Sequence, residues 1–205
     1  EMSASLVGSE MCIRDRIWAV SALCFITTMK GLEYRCPTEI KCIGFSGEVM
    51  PIKHFNKLKK YLTKTKFINL YGPTEITCNC TYYSIPEEVT YSLQDTIPIG
   101  KNFVNEKVFL LDENDNLINP KNRSLIGEIC VAGTCLALGY YNDEERTNKV
   151  FVQNPLQDKY REIIYRTGDM AQYVADGNLR YISRKDFQVK HLGHRIESVS
   201  YTHLR

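Results

Sequence analysis

Ile40-Lys41-Cys42-Ile43-Gly44-Phe45, then Pro51 to Leu62, then Phe67-Ile68-Asn69-Leu70 followed by Tyr71-Gly72-Pro73-Thr74-Glu75, is the stretch that decides the fold. The first run is short and apolar, as expected of a buried strand. Pro51 suits the opening of a helix, because the first turn has no use for its missing N–H. From there Ile52, Phe55, Leu58, Tyr61 and Leu62 recur at helical spacing, while Lys53, Asn56, Lys57 and Lys60 take the opposite face. Phe67 to Leu70 is a second short apolar run, and it ends at a Gly-Pro turn. Strand, helix, strand at this spacing is a βαβ unit and predicts a parallel sheet.

Upstream, Ile17 to Gly31 is apolar at most positions and is expected to form a buried helix that stops at Gly31. It is too short to span a bilayer, so no membrane insertion is expected. Downstream the pattern changes. Lys107 to Asp112, Ile126 to Ala132, Tyr165 to Val174 and Leu179 to Ser183 read as strands, with turns at Glu113 to Asn116 and at Asp176-Gly177-Asn178. Asn142 to Phe151 reads as a short helix with Glu144 and Glu145 in its first turn. This half is expected to be antiparallel and barrel-like.

The whole chain has 205 residues, a formal charge of +2, 43% hydrophobic and 24% charged residues, a composition that suits a globular core and excludes a strongly basic nucleic-acid binder. Lys57, Lys59, Lys60, Lys64 and Lys66 read as the wet face of a helix. None of the eight cysteines forms a C-x-x-C pair, and several sit in apolar runs such as Ile129-Cys130-Val131, as buried thiols of a reducing, cytoplasmic compartment do. Cys78-Asn79-Cys80 could hold a metal but in a β-segment reads as two core or surface thiols, and His191 and His194, though spaced like metal ligands, lie in a basic loop with no carboxylate partner.

In open α/β sheets ligands bind beyond the carboxyl ends of the strands. Two polar stretches fall there: Ser46-Gly47-Glu48 and Tyr71-Gly72-Pro73-Thr74-Glu75. Tyr71 offers an aromatic face, Thr74 a hydroxyl for a phosphate, and Glu75 a hard oxygen suited to Mg²⁺. The same residues also make an ordinary Gly-Pro turn with a capped turn over Thr74 to Thr77. In the second half, Tyr165-Arg166-Thr167-Gly168-Asp169 sets a carboxylate beside a glycine, where it can accept from both hydroxyls of a ribose or simply serve a β-turn. Arg184-Lys185-Asp186-Phe187-Gln188-Val189-Lys190 is a charged stretch after a strand, and a solvated hairpin has the same look. There is no Walker P-loop and no G-x-G-x-x-G.

Taken in order, Phe45 to Glu48, Asn69 to Glu75, Gly127 to Tyr141, Tyr165 to Asp169 and Ser183 to Glu197 resemble the motifs of the adenylate-forming superfamily, specifically its amino-acid adenylation domains. Gly47-Glu48-Val49-Met50-Pro51 and Asp186 to Lys190 are similar to the D-alanine–carrier protein ligase branch, and domains of nonribosomal peptide synthetases share most of the set. The resemblance implies an α/β fold: the βαβ part of a large adenylation domain over 17–185, its antiparallel barrel-like β region included, then a hinge and the start of a small C-terminal domain over 186–197. It implies ATP and Mg²⁺, an amino-acid substrate and a phosphopantetheinyl carrier protein as partner, with no nucleic acid. Tyr71 would stack on adenine; Gly47, Glu48, Asn69 and Gly72 would line the nucleotide pocket. Thr74 would contact phosphates and Glu75 would bind the metal. Asp169 would hold the ribose, Tyr181 flank the nucleotide, and Arg184 reach the ribose or α-phosphate. Asp186 would be the hinge, and Lys190 and Gly193 the loop facing the carrier. An acyl- or aryl-CoA ligase of the same superfamily and a non-catalytic nucleotide-binding module are the competing implications.

The sequence departs from that pattern in three places. The Ser/Thr/Gly-rich phosphate loop and the small-domain lysine of the family do not occur, and the usual glycine before Arg184 is Ser183. The isolated chain is therefore expected to be inactive. Residues 1–16 and 198–205 match nothing in the family and look like translated adapter sequence, so both are expected to be foreign tails.

Overall fold

The computed structural model describes residues 15–185 and the backbones of two further strands, Val189–His191 and His194–Ile196. The chain divides into two compact units, one holding residues 15–70 with Ser84–Ile97, the other holding Tyr71–Tyr83 with the residues from Pro98 onward.

The first unit is the expected βαβ arrangement with one more strand in front. Strand β1 (Asp15–Ala19) leads directly into helix α1 (Val20–Thr28) and a helical turn, α2 (Gly31–Tyr34). Strand β2 (Cys42–Ser46), helix α3 (Ile52–Tyr61) and strand β3 (Lys66–Tyr71) follow. β2 pairs in parallel with β1 on one side, Ile17 opposite Gly44, and with β3 on the other, Phe45 opposite Asn69. Helix α3 buries Ile52, Phe55 and Leu58, and leaves Lys53, Asn56 and Lys57 in water. The Phe55 ring packs edge-on against Phe67 at 5.3 Å and tilted against Phe45 at 6.3 Å, which fastens the helix to β2 and β3.

The single buried helix expected over Ile17 to Gly31 is a strand and a helix instead. Ile17 and Trp18 are β-favouring residues and they take the open side of β2. Only Val20, Leu23 and Thr27 of α1 are buried, while Phe25 and Met29 are exposed. A run that is apolar at most positions carries too weak a period to separate the two readings.

The second unit contains β4 (Thr81–Ile85, shared at its end with the first unit), β5 (Lys101–Asn102), β6 (Glu106–Leu111), β7 (Ile126–Gly133), helix α4 (Glu144–Val150), β8 (Phe151–Gln153), β9 (Ile163–Tyr173) and β10 (Leu179–Arg184), and the described strand backbones β11 (Val189–His191) and β12 (His194–Ile196) form an antiparallel pair. The antiparallel sheet expected here runs β10-β9-β7-β6, with β8 also on β9. β9 alternates buried and half-buried from Tyr165 to Tyr173, and its buried face carries Tyr165, Thr167, Asp169, Ala171 and Tyr173. That face packs into a core with Ile76, Leu110, Ile129 and Leu179.

β9 is out of step with both neighbours near Asp169. Between Glu128 and Cys130, two steps along β7 correspond to four along β9, from Met170 to Arg166. Between Tyr181 and Ser183, two steps along β10 correspond to one along β9, from Ala171 to Met170. Bulges of this kind re-aim side chains, and here the second one brings Arg184 directly opposite Asp169.

All seven described cysteines are free thiols. Cys78 is exposed and Cys80 and Cys130 are buried. Burial pushes the Cys80 thiol far up and the Cys130 thiol up to about 12. Iodoacetamide followed by peptide mass spectrometry is therefore expected to modify Cys78 in the native chain and to leave Cys80 and Cys130 unmodified until the chain is unfolded. Equal labelling of Cys78 and Cys130 under native conditions would contradict this packing.

Candidate functional site

Three residues named from sequence converge within the second unit. The Tyr71 hydroxyl donates to Asp169 Oδ2 at 2.6 Å, and Arg184 Nη1 donates to Asp169 Oδ1 at 2.8 Å. The side chains of Asp169 and Arg184 are 5% and 11% exposed, so this is a largely dehydrated ion pair. Burial first, and then the Asp169 carboxylate, hold the Tyr71 hydroxyl well above its ordinary pKa, so it stays a donor at neutral pH.

The position of Asp169 is built by the bulge. Gly168 has φ +71, a conformation that glycine adopts at little cost. Its N–H donates to Glu128 Oε1 at 3.1 Å, and its carbonyl accepts from the Lys185 N–H at 2.7 Å. The Thr167 hydroxyl donates to the Ile129 carbonyl at 2.8 Å and accepts from the Asp169 N–H at 3.0 Å. Glu128 is itself buried and takes Arg166 Nε and Nη2 on its other oxygen, at 3.1 and 2.9 Å. Arg166 Nη1 also reaches Asp115 Oδ1 at 2.7 Å. Carboxylates, guanidinium and backbone thus interlock around one turn of chain.

The turn after Tyr71 is a 3₁₀ helix, Thr74–Ile76. Thr74 is exposed and Glu75 buried. The Glu75 Oε1 accepts the Tyr140 hydroxyl at 2.5 Å, and its carbonyl accepts the Ala137 N–H at 2.8 Å. Thr77 and Cys78 both have positive φ, +55 and +89, and their backbone doubles back on Gly72. A Cβ on Gly72 would lie 2.5 Å from Asn79 Cα and from the Cys78 carbonyl oxygen, so glycine is required there for space rather than for its own φ.

Gly47, Glu48 and Asn69 belong to the first unit. Gly47 turns the chain after β2 with φ +96 and no atom within 4 Å of a would-be Cβ. Glu48 is half-buried. Asn69 is buried in β3, and its amide faces the Ile97 carbonyl at 3.5 Å. Tyr181 packs on the second unit's core opposite Ala171. Asp186 and Gly193 lie outside the described residues, and Lys190 lies in β11, where only the backbone is described.

Sequence reasoning did not single out Glu128, Arg166, Thr167 or Tyr140. All four lie inside stretches quoted above, Gly127 to Tyr141 and Tyr165 to Asp169, but their partners are far away in the chain and no local period announces them.

Comparison with known proteins shows the family and the fold. Residues 16–141, more than half of the chain, match the family described as AMP-binding enzyme. Bacitracin synthase 1 of Bacillus licheniformis is 38% identical over 170 residues, which cover 83% of this chain and 3% of that protein. Holo-PA1221, an NRPS protein containing adenylation and PCP domains, matches at TM-score 0.77 and 32% identity, over 89% of this chain and 30% of that one. The Vibrio cholerae adenylation domain AlmE, in complex with glycyl-adenosine-5'-phosphate, matches at TM-score 0.73 and 26% identity, over 88% of this chain and 33% of that one. The chain thus spans only a small part of the relatives it matches. With residues 16–141 matched by the family and its fold that of solved adenylation domains, this chain belongs to the AMP-binding enzyme family.

Proposed function

We propose that this chain is part of an enzyme that adenylates an amino acid and passes it to a carrier protein. A carboxylate oxygen of the amino acid attacks the α-phosphorus of ATP, the bond to pyrophosphate breaks, and aminoacyl-AMP forms. The pantetheine thiol of the carrier then attacks the acyl carbon, forms a thioester and releases AMP. The observation that carries this reading is the buried Asp169 carboxylate, aimed by Tyr71 and Arg184. A carboxylate fixed in that way accepts hydrogen bonds from both hydroxyls of a ribose.

The remaining roles are those that the resemblance to adenylation domains implies. Tyr71 presents its ring to adenine while its hydroxyl keeps Asp169 in position. Gly47, Glu48, Asn69 and Gly72 shape the adenine and substrate pocket, and Tyr181 flanks the nucleotide. Thr74, exposed at the start of its 3₁₀ turn, donates to phosphate oxygens. Arg184 places its charge near the ribose and α-phosphate, where negative charge builds as pyrophosphate departs. Asp186 serves as hinge, and Lys190 and Gly193 face the carrier. The acyl acceptor is a phosphopantetheinyl thiol, in keeping with the PCP domain of PA1221.

The described residues include no group of three or more His, Cys, Asp or Glu side chains suited to a metal. Mg²⁺ in nucleotide sites is held by one or two carboxylates together with substrate phosphates, so a single buried carboxylate fits it. Glu75 would hold the ion, which when bound supplies charge neutralisation at the phosphates. No described helix is long and apolar enough to cross a membrane. The cytoplasm, where ATP and reduced thiols are available, is the compartment this reading assigns.

Amino-acid-dependent exchange of labelled pyrophosphate into ATP tests the proposal, in an intact protein carrying this sequence. Glu75→Ala is expected to lower the exchange rate at saturating amino acid on the order of 100-fold. An unchanged rate removes the metal role from Glu75. Exchange driven by fatty or aryl acids and by no amino acid would overturn the substrate class.

A further inference from the structure

Glu75 is tied to a second stretch of chain at two points, through its carbonyl to Ala137 and through its carboxylate to Tyr140. That stretch is itself held firmly. The Tyr140 N–H donates to Thr147 Oγ1 at 2.9 Å, and the Tyr140 ring stands edge-on to Phe151 with centroids 6.1 Å apart. The Arg146 guanidinium lies 4.4 Å from the centre of the same ring, a cation–π contact. Asp143 caps helix α4 by accepting from the Arg146 N–H at 2.9 Å, which sets where Arg146 leaves the helix. Gly139, at φ +141, runs so close to Thr147 that a Cβ there would lie 2.6 Å from Thr147 Cγ2. The phenol is therefore located by its backbone, by an aromatic neighbour and by a cation, none of which belongs to the nucleotide site.

A glutamate side chain has three torsions, the last of them broad, and a bond to one oxygen selects among the orientations of the carboxylate. We infer that Tyr140 is the positioning residue for Glu75, its hydroxyl aiming the carboxylate and Arg146 holding the ring that carries the hydroxyl. The inference rests on the reading of Glu75 as the Mg²⁺ ligand. Tyr140 makes no contact with the reacting groups in this scheme. Groups that orient a metal ligand commonly change metal affinity by about 10- to 100-fold when removed.

The test is the gain in ATP affinity that Mg²⁺ brings, measured by calorimetry with Mg²⁺ and again with EDTA, in an intact protein carrying this sequence. Tyr140→Phe keeps the ring between Phe151 and Arg146 and deletes only the hydroxyl. Its expected signature is a loss of roughly 10-fold in the Mg²⁺-dependent gain, with affinity in EDTA unchanged. Arg146 is exposed, so Arg146→Met folds without a packing penalty and is expected to lose part of the same gain. A full gain in both variants overturns the inference. Glu75→Gln separates the two layers. If Glu75→Gln loses the gain and both other variants keep it, Glu75 binds the metal without help from Tyr140. If Glu75→Gln keeps the full gain, the metal reading of Glu75 fails and the role of Tyr140 fails with it.

Discussion

Asp169→Ala is expected to weaken ATP binding by about 100-fold or more and to cost on the order of 3–5 kcal/mol of folding stability. The two losses have separate origins. On the nucleotide side, the carboxylate makes charge-assisted bonds to the ribose hydroxyls under the proposed function, each worth roughly 1.5–3 kcal/mol. On the folding side, Arg184 would keep its charge at a position only 11% exposed, opposite a methyl group. The buried Tyr71 hydroxyl would lose an acceptor at the same time. Removing one member of a buried pair costs more than the pair contributes, because the survivor stays dehydrated. Asp169→Asn keeps the shape and one acceptor oxygen but removes the negative charge opposite the guanidinium, so it is expected to fall between wild type and alanine. Calorimetric titration with ATP reads the loss of binding, and urea unfolding followed by circular dichroism reads the loss of stability. A stability loss below about 1 kcal/mol for Asp169→Ala would mean that Arg184 finds water as soon as its partner leaves.

Gly100→Ala is expected to be at least as damaging to the fold, on the order of 4 kcal/mol, although it deletes no polar group. Gly100 has φ +86, and an added Cβ would fall inside the Tyr82 carbonyl group. The obstacle is backbone, so no rotamer relieves it. Gly100 is also fastened to Leu179, accepting the Leu179 N–H at 2.8 Å and donating to the Leu179 carbonyl at 3.2 Å. Relief requires β4 to move or the link to β10 to break, and β10 is the strand that carries Arg184. Gly177 is the internal comparison. It has φ +69 and nothing within 4 Å of a would-be Cβ, so Gly177→Ala is expected to cost only the backbone conformation, about 1 kcal/mol. Thermal melts of the two variants check the contrast. Equal melting temperatures would show that the close approach at Tyr82 relaxes at no cost.

The elements that sequence made legible are those whose residues interact locally or repeat at a fixed period. Helix α3 declared itself through Ile52, Phe55 and Leu58, and these are the residues it buries. β9 was readable because its buried and half-buried positions alternate over most of its length. β1 was missed because Ile17 and Trp18 stand at the head of a mostly apolar run, and pairing with β2 is decided about 27 residues away. The same division holds in the candidate site. Tyr71, Asp169 and Arg184 were chosen by motif, and the structure brings them to one carboxylate. Tyr140 and Glu128 were not chosen, since a lone tyrosine or glutamate in a strand or loop has many ordinary uses. Their partners are Glu75 and Gly168, 65 and 40 residues away. No pattern in the chain links residues at that separation; only the folded backbone does.

The two interruptions in the ladder of β9 give the strand an unusual mechanical character. Residues Ile163 to Arg166 are laced to β8 and β7, and Met170 to Tyr173 to β7 and β10; the step changes between Arg166 and Met170 on the β7 side and between Met170 and Ala171 on the β10 side. A regular strand passes a pull at one end to the other through its unbroken rungs. This one behaves as two short splints joined by a coupling, and Asp169 rides on the coupling. A strain that enters through β10 can therefore be taken up at Gly168 and Asp169 while the splint that anchors the core stays still.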